Sequence, residues 1–165
     1  MAVVTLKAKG PTNRDASPRV LSDSAYVKGS LKGWIGVVTA GAADSIGSKY
    51  IMGKIPSNAV VHSLQLNCGA ITSAAADIGL YKTTADGGAV VDADFFVAAK
   101  SIATAIAINA EQAFSNVITL VNSEKKVWEL LGLSSDPNID YDVVMTLTAA
   151  ATAAEKAQLK CQYAE

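Results

Sequence analysis

The sequence predicts an all-β fold, a two-sheet antiparallel β-sandwich with one or two short helices in its connections. Two observations carry that reading. From Trp34 onward, short segments of period two alternate apolar and polar side chains, and Gly, Asn, Asp and Ser interrupt them at the spacing of sandwich turns. Ahead of that point, beyond a brief apolar alternation from Val3 to Leu6, Gly10-Pro-Thr-Asn-Arg-Asp-Ala-Ser-Pro18 is a run of turn formers without periodicity. Residues 1–30 are therefore expected to form an arm or extended lead-in, and residues 31–165 the sandwich.

In chain order, Trp34 to Thr39 and Lys49 to Ile55 are the first strand candidates, both short or broken by glycine. Val60 to Cys68 is the clearest strand. There Val60, His62, Leu64, Leu66 and Cys68 point one way and Val61, Ser63, Gln65 and Asn67 the other, as a half-buried antiparallel strand requires. Ala76 to Lys82 follows. Asp92 is placed to cap a helix over Ala93 to Lys100, with Phe96 and Ala99 on one side and Phe95 on another. Phe114 to Val121 is a further strand candidate. Ser123 is a good N-cap, Glu124 complements the helix dipole, Val127, Leu130 and Leu131 share a face, and Gly132 stands where a left-handed residue ends a helix. A two-turn helix over 124–131 follows from these. Near the C-terminus, Ile139, Tyr141, Val143, Met145 and Leu147 occupy alternate positions, as do Leu159, Cys161 and Tyr163, and the two segments are expected to pair as a hairpin. The alanine-rich stretch between them has helical propensity but makes the connection, and is read as a loop.

Composition limits the chemistry. With 14 basic and 15 acidic residues and a net charge of −1, the chain lacks the charge surplus of a protein that grips nucleic acid or an anionic membrane by general attraction. Neither is expected as a partner. No stretch approaches the run of about 20 apolar residues that crosses a bilayer, and the first residues show no basic start followed by an apolar run, so synthesis in a cytoplasm is expected. Half of the residues are apolar, and a chain of this size buries roughly 70% of its unfolded surface, enough core to dispense with metal or disulfide staples. No cofactor is expected. Cys68 and Cys161 stand too far apart for a metal knuckle and read as two buried free thiols.

Each candidate for chemistry has a plainer reading beside it. His62 is the sole imidazole, and on the apolar side of a strand it reads as a core or rim side chain rather than a general base. Asp136-Pro-Asn-Ile-Asp-Tyr-Asp142 matches the start of a calcium loop, yet Tyr141 and Leu147 stand where such a loop needs glycine and glutamate, so a turn leading into a strand is expected. Asp92 and Asp94, two positions apart, would diverge on a helix and serve as caps rather than as a carboxylate pair. Asp86-Gly-Gly88 is a turn, because no Gly-Lys-Ser/Thr follows it. Nothing here equips an enzyme.

Taken together, Ile55-Pro-Ser-Asn-Ala59 leading into the Val60 strand, Ala76-Asp-Ile-Gly-Leu-Tyr81, Val91-Asp-Ala-Asp-Phe-Phe96, Val127-Trp-Glu-Leu-Leu-Gly-Leu133 and Asp140-Tyr-Asp-Val-Val144 resemble the capsid decoration, or cement, proteins of tailed bacteriophages. The resemblance spans roughly residues 30–165. It implies a compact, often jelly-roll-like sandwich on the outside of the shell, where it clamps neighbouring major capsid subunits as a dimer or trimer. The implied location is the virion, on the capsid surface. The family brings no catalytic residues, and the contact candidates come from the sequence itself: Val3, Leu6, Pro11, Arg14 and Pro18 in the arm, with Trp34 and Trp128 as the largest anchors available. Another virion component of the same architecture, such as a tail, baseplate or receptor-binding module, is the alternative. A small hydrolase or a cellular binding domain is a more distant one.

Overall fold

Alternating segments become strands when each face has a partner, and seven of them do so among the described residues. The computed structural model describes residues 6–25, 29–107 and 116–165. Among these are α1 (Lys9–Arg14), β1 (Lys32–Ala40), β2 (Lys49–Pro56), β3 (Val60–Cys68), β4 (Ala75–Lys82), β5 (Val90–Ser101), α2 (Val127–Leu130), β6 (Asp140–Ala149) and β7 (Glu155–Ala164). The strands form two antiparallel sheets, in the orders β1-β7-β3 and β2-β6-β4-β5. This is the predicted two-sheet sandwich. Its core lies between the sheets: Leu64, Leu66, Ala157, Leu159 and Cys161 from one face Ile78, Leu80, Tyr141, Val143, Met145 and Leu147 from the other.

The last two strands are not a hairpin. β6 pairs with β2 and β4, while β7 pairs with β1 and β3, so residues 150–154 cross from one sheet to the other. The reason lies in their alternation. Both strands carry an apolar face, and placing them in opposite sheets sets those faces against each other, which a hairpin within one sheet cannot do. The crossing is pinned where Ala151 is buried and its N–H donates to the Asp44 carbonyl at 2.9 Å.

Three other local readings give way to irregularities that period counting does not see. In β3 the register shifts between Val61 and Ser63, which makes His62 the extra residue of a bulge. His62 is consequently exposed, Val61 joins the core, and Val60 packs on the other side with Ala25 and Ala164. The helix expected over Ala93 to Lys100 is part of β5, and Asp92 caps nothing. Opposite Ala76 to Tyr81 of β4, β5 runs from Val90 to Lys100, so several residues bulge out and Phe95, Phe96 and Val97 are all buried in succession. Residues 116–121 form bends and turns rather than a strand, and Phe114 lies outside the described residues.

The second helix is shorter than expected, at Val127–Leu130, because the residues ahead of it are spent in turns. Asn122 N–H donates to Thr119 and Lys125 N–H to Asn122, and the Ser123 hydroxyl donates to the Leu120 carbonyl instead of capping. The Glu129 carboxylate accepts the Lys126 N–H at 2.8 Å and does that work in its place. Val127 is buried, Leu130 and Leu131 pack against the core, and Gly132 takes a φ of 71°, as the expected stop signal requires.

At the β1–β2 loop the Asp44 carboxylate accepts from the Tyr50 hydroxyl at 2.5 Å and from the Gly41 N–H at 2.7 Å. The Tyr50 bond, then the Gly41 bond, hold Asp44 below the usual carboxylate range. A carboxyl whose folded pKa is depressed stabilises the fold above its unfolded pKa, and that contribution is lost as pH falls through the folded value. The gap in melting temperature between the native chain and Tyr50→Phe should therefore be widest near neutral pH and shrink on acidification below the usual carboxylate range. Thermal melts at stepped pH measure it, and a gap that widens in acid would contradict the assignment.

Candidate functional site

Among the described residues, the barest aliphatic side chains lie on residues 6–25 and on the turns at 119–125. Leu6 is 89% exposed and Leu21 88%, with Leu120 and Val121 similarly bare on the 119–125 turns beside them. Two ion pairs hold these segments together, Lys9 with Glu124 at 3.5 Å and Lys126 with Asp23 at 3.2 Å. The arm is also folded on itself. Despite Gly10 and Pro11, residues Lys9–Arg14 form α1, helped by the Thr12 hydroxyl donating to the Ala8 carbonyl at 2.9 Å. Asp15 bonds Arg14 and Lys7, which together hold its carboxyl down at about 2, Arg14 contributing most. Asn13 donates to Ser22 at 3.2 Å and its carbonyl receives the Val20 N–H at 3.2 Å, closing the loop after α1. The end of the arm meets the sandwich: Ala25 is buried with Val60 and Ala164, and the Ser24 hydroxyl donates to the Glu165 carbonyl at 3.3 Å.

Of the contact candidates, Leu6, Pro11, Arg14 and Pro18 are all exposed on this arm, and Val3 lies outside the described residues. Trp34 sits elsewhere, on β1, with its ring packed against the core over Gly53. Trp128 is half-buried on α2, where its N–H donates to the Ser57 carbonyl at 3.0 Å and its carbonyl accepts from Leu133. Pro11 and Arg14 line one shallow pocket with Arg19 and Leu21, and the two tryptophans lie on other elements. Leu120 and Val121, which belong with the arm, escaped sequence reasoning because they lay inside an expected strand.

The groups that could carry chemistry are dispersed. Among the described residues, no three His, Cys, Asp or Glu side chains come together in a way that could hold a metal. Cys68 and Cys161 are free and buried, and burial pushes the Cys161 thiol up to about 12 and raises Cys68, so both stay protonated at neutral pH. The Asp136 carboxylate is used locally, accepting from the Ser57 hydroxyl at 2.5 Å and the Asn138 N–H at 2.9 Å, and Asp140 pairs with Lys54 at 2.6 Å. That is the turn leading into a strand.

Fold and surface together define a two-sheet antiparallel sandwich, with exposed aliphatic side chains on residues 6–25 and on the 119–125 turns. No protein-family model matches the sequence, and no curated protein matches it. Solved structures do share the fold. A chain of the Cyanophage Pam1 capsid asymmetric unit superposes with a TM-score of 0.51 at 15% identity, over 82% of this chain and 85% of that one. A chain of the capsid of Ralstonia phage GP4 superposes with a TM-score of 0.53 at 14% identity, over 83% and 85%. At these identities the likeness is one of fold.

Proposed function

We propose that the chain is a structural virion protein that binds the outer surface of a phage capsid and stabilises contacts between major capsid subunits. The observation that carries this reading is the fold shared, over more than four fifths of either chain, with chains from two phage capsid assemblies. The surface agrees with it. A chain whose charges nearly cancel overall suits close, repeated protein contacts, and exposed leucines on an arm suit insertion between neighbouring subunits. In this reading the protein is made in the host cytoplasm, takes its place as a dimer or trimer on the shell, needs no cofactor and performs no catalysis. Residues 1–30 act as the arm, carrying the contact residues Leu6, Pro11, Arg14 and Pro18, and residues 31–165 form the body.

Cosedimentation with expanded capsids assembled from the major capsid protein of the same genome tests it. The full chain should pellet with capsids and stay in solution without them. Deleting residues 1–21, which spares Ser24 and Ala25, should cut the bound fraction by about tenfold or more while the melting temperature barely moves. A full chain that stays in the supernatant, or a truncated chain that binds equally well, overturns the reading.

A further inference from the structure

The near-zero net charge conceals a division. Residues 1–31 hold five cations (Lys7, Lys9, Arg14, Arg19 and Lys28) against Asp15 and Asp23, a balance of +3, which leaves −4 for residues 32–165. Of the arm's cations Arg19 is the one of interest. It is exposed, and among the described residues no carboxylate lies within ion-pair distance of it, unlike Lys7, Lys9 and Arg14. Val20 and Leu21 follow it, both exposed, on the loop that Asn13 ties back to α1. Together they make a cationic knob with an apolar tip.

The body carries the complement. Between α2, the turn after it and the ends of β4 and β5 lies an open cavity of about 450 Å³. Val91, Leu130, Leu131 and Ile139 give it an apolar wall, Asp92 and Lys82 are its charged lining groups, and none of the described arm residues lines it. Asp92 has no cation partner among the described residues, and Asp94 stands beside it, its N–H on the Asp92 carboxylate at 3.3 Å. Burial, and then the neighbouring Asp94, raise the Asp92 pKa, as expected of a carboxylate in want of a counter-ion. The wall leucines are side chains that α2 does not fully bury, so the cavity offers apolar surface together with a carboxylate that has no ion-pair partner among the described residues.

We propose that Arg19–Leu21 of one copy seats in this cavity of a second copy, with Leu21 against Leu130, Leu131 and Ile139 and Arg19 facing Asp92. Knob and cavity are different surfaces, so the contact closes either as a two-fold pair in which each copy gives and receives a knob, or head-to-tail around a closed ring. The apolar tip supplies the affinity and the charge pair fixes which cavity accepts it. The contact goes beyond capsid binding and holds whether or not a shell is the protein's partner.

The full chain, purified without capsids, tests this by analytical ultracentrifugation over a range of concentrations. The native chain should associate, and Arg19→Asp, Asp92→Arg and Leu21→Asp should each weaken association by about tenfold or more. Combining Arg19→Asp with Asp92→Arg restores the charge pair in reverse and should recover most of the loss. Circular dichroism melts verify that each variant folds, and Leu133→Asp supplies a second probe of the cavity mouth if Asp92→Arg does not. A native chain that stays monomeric at high micromolar concentration overturns the proposal, as do single variants that associate normally or a charge swap that recovers nothing. If the chain is monomeric and Asp92→Arg abolishes capsid cosedimentation, the cavity's occupant is the shell and the proposal fails while capsid binding stands. Association that obeys the charge swap, from a protein that ignores capsids, supports the contact and removes the capsid role.

Discussion

Alanine in place of Gly36 is expected to lower the melting temperature by roughly 6 to 12 °C, equivalent to about 3 kcal/mol in a chain of this length. Gly36 lies on β1 where it passes the bulge of β2, at which the register shifts between Ile51 and Gly53 and Met52 is the extra residue. A β-carbon on Gly36 would overlap the carbonyl and α-carbon of Met52, which are backbone atoms and cannot rotate aside. Relief would require β1 and β2 to separate. These strands belong to different sheets, and their approach closes one side of the sandwich, with the Trp34 ring against Gly53 just beside it. Ile35→Ala, one residue away and 63% exposed, is the control and should stay within about 1 kcal/mol of the native chain. Equal melting temperatures for Gly36→Ala and Ile35→Ala would show that the two edges do not meet there.

Period-two alternation made the sandwich legible because the strands that dominate the core are also the most regular. Tyr141, Val143, Met145 and Leu147 keep strict alternation and are all buried, as are Leu159 and Cys161. What alternation cannot report is the identity of a strand's neighbour. β6 and β7 have the same pattern whether they pair in one sheet or face each other across the core, so the hairpin expected between them was an error of topology and not of strand placement. The other misreadings share a different cause. A bulge adds a residue and resets the phase, which moved His62 from the core to the surface, and several bulges in β5 brought aromatic side chains into a succession that imitates a helix. The arm's exposed residues were legible from its turn formers. Its short helix was not, since Gly10 and Pro11 argue against one and the bonds that favour it, Thr12 to Ala8 and Lys7 to Asp15, are side-chain contacts. The cavity around Asp92 was hidden for the same reason as β5: with Asp92 assigned to a helix cap, nothing placed it beside Leu130 and Ile139.

Truncating Phe96 to alanine should cost about 3–5 kcal/mol, the range for a fully buried aromatic side chain. Phe96 is 0% exposed, and its ring meets that of Phe95 edge-on, with centroids 4.8 Å apart and planes at 87°, a geometry that adds to the burial of either ring alone. Two successive residues of a regular strand point to opposite faces, and β5 buries both rings where its pairing with β4 is irregular. β5 is interrupted there: Leu80 faces Asp92 and Ile78 faces Val97, two positions of β4 against five of β5. Phe95→Ala should therefore be of similar cost, and the double variant should lose less than the two single losses added together, because each single change already removes the ring contact. Urea unfolding, with its slope unchanged across the set, measures all three. If Phe95→Ala falls within about 0.5 kcal/mol of the native chain while Phe96→Ala does not, then β5 alternates regularly, one ring faces solvent, and the bulged edge beside Asp92 is wrong.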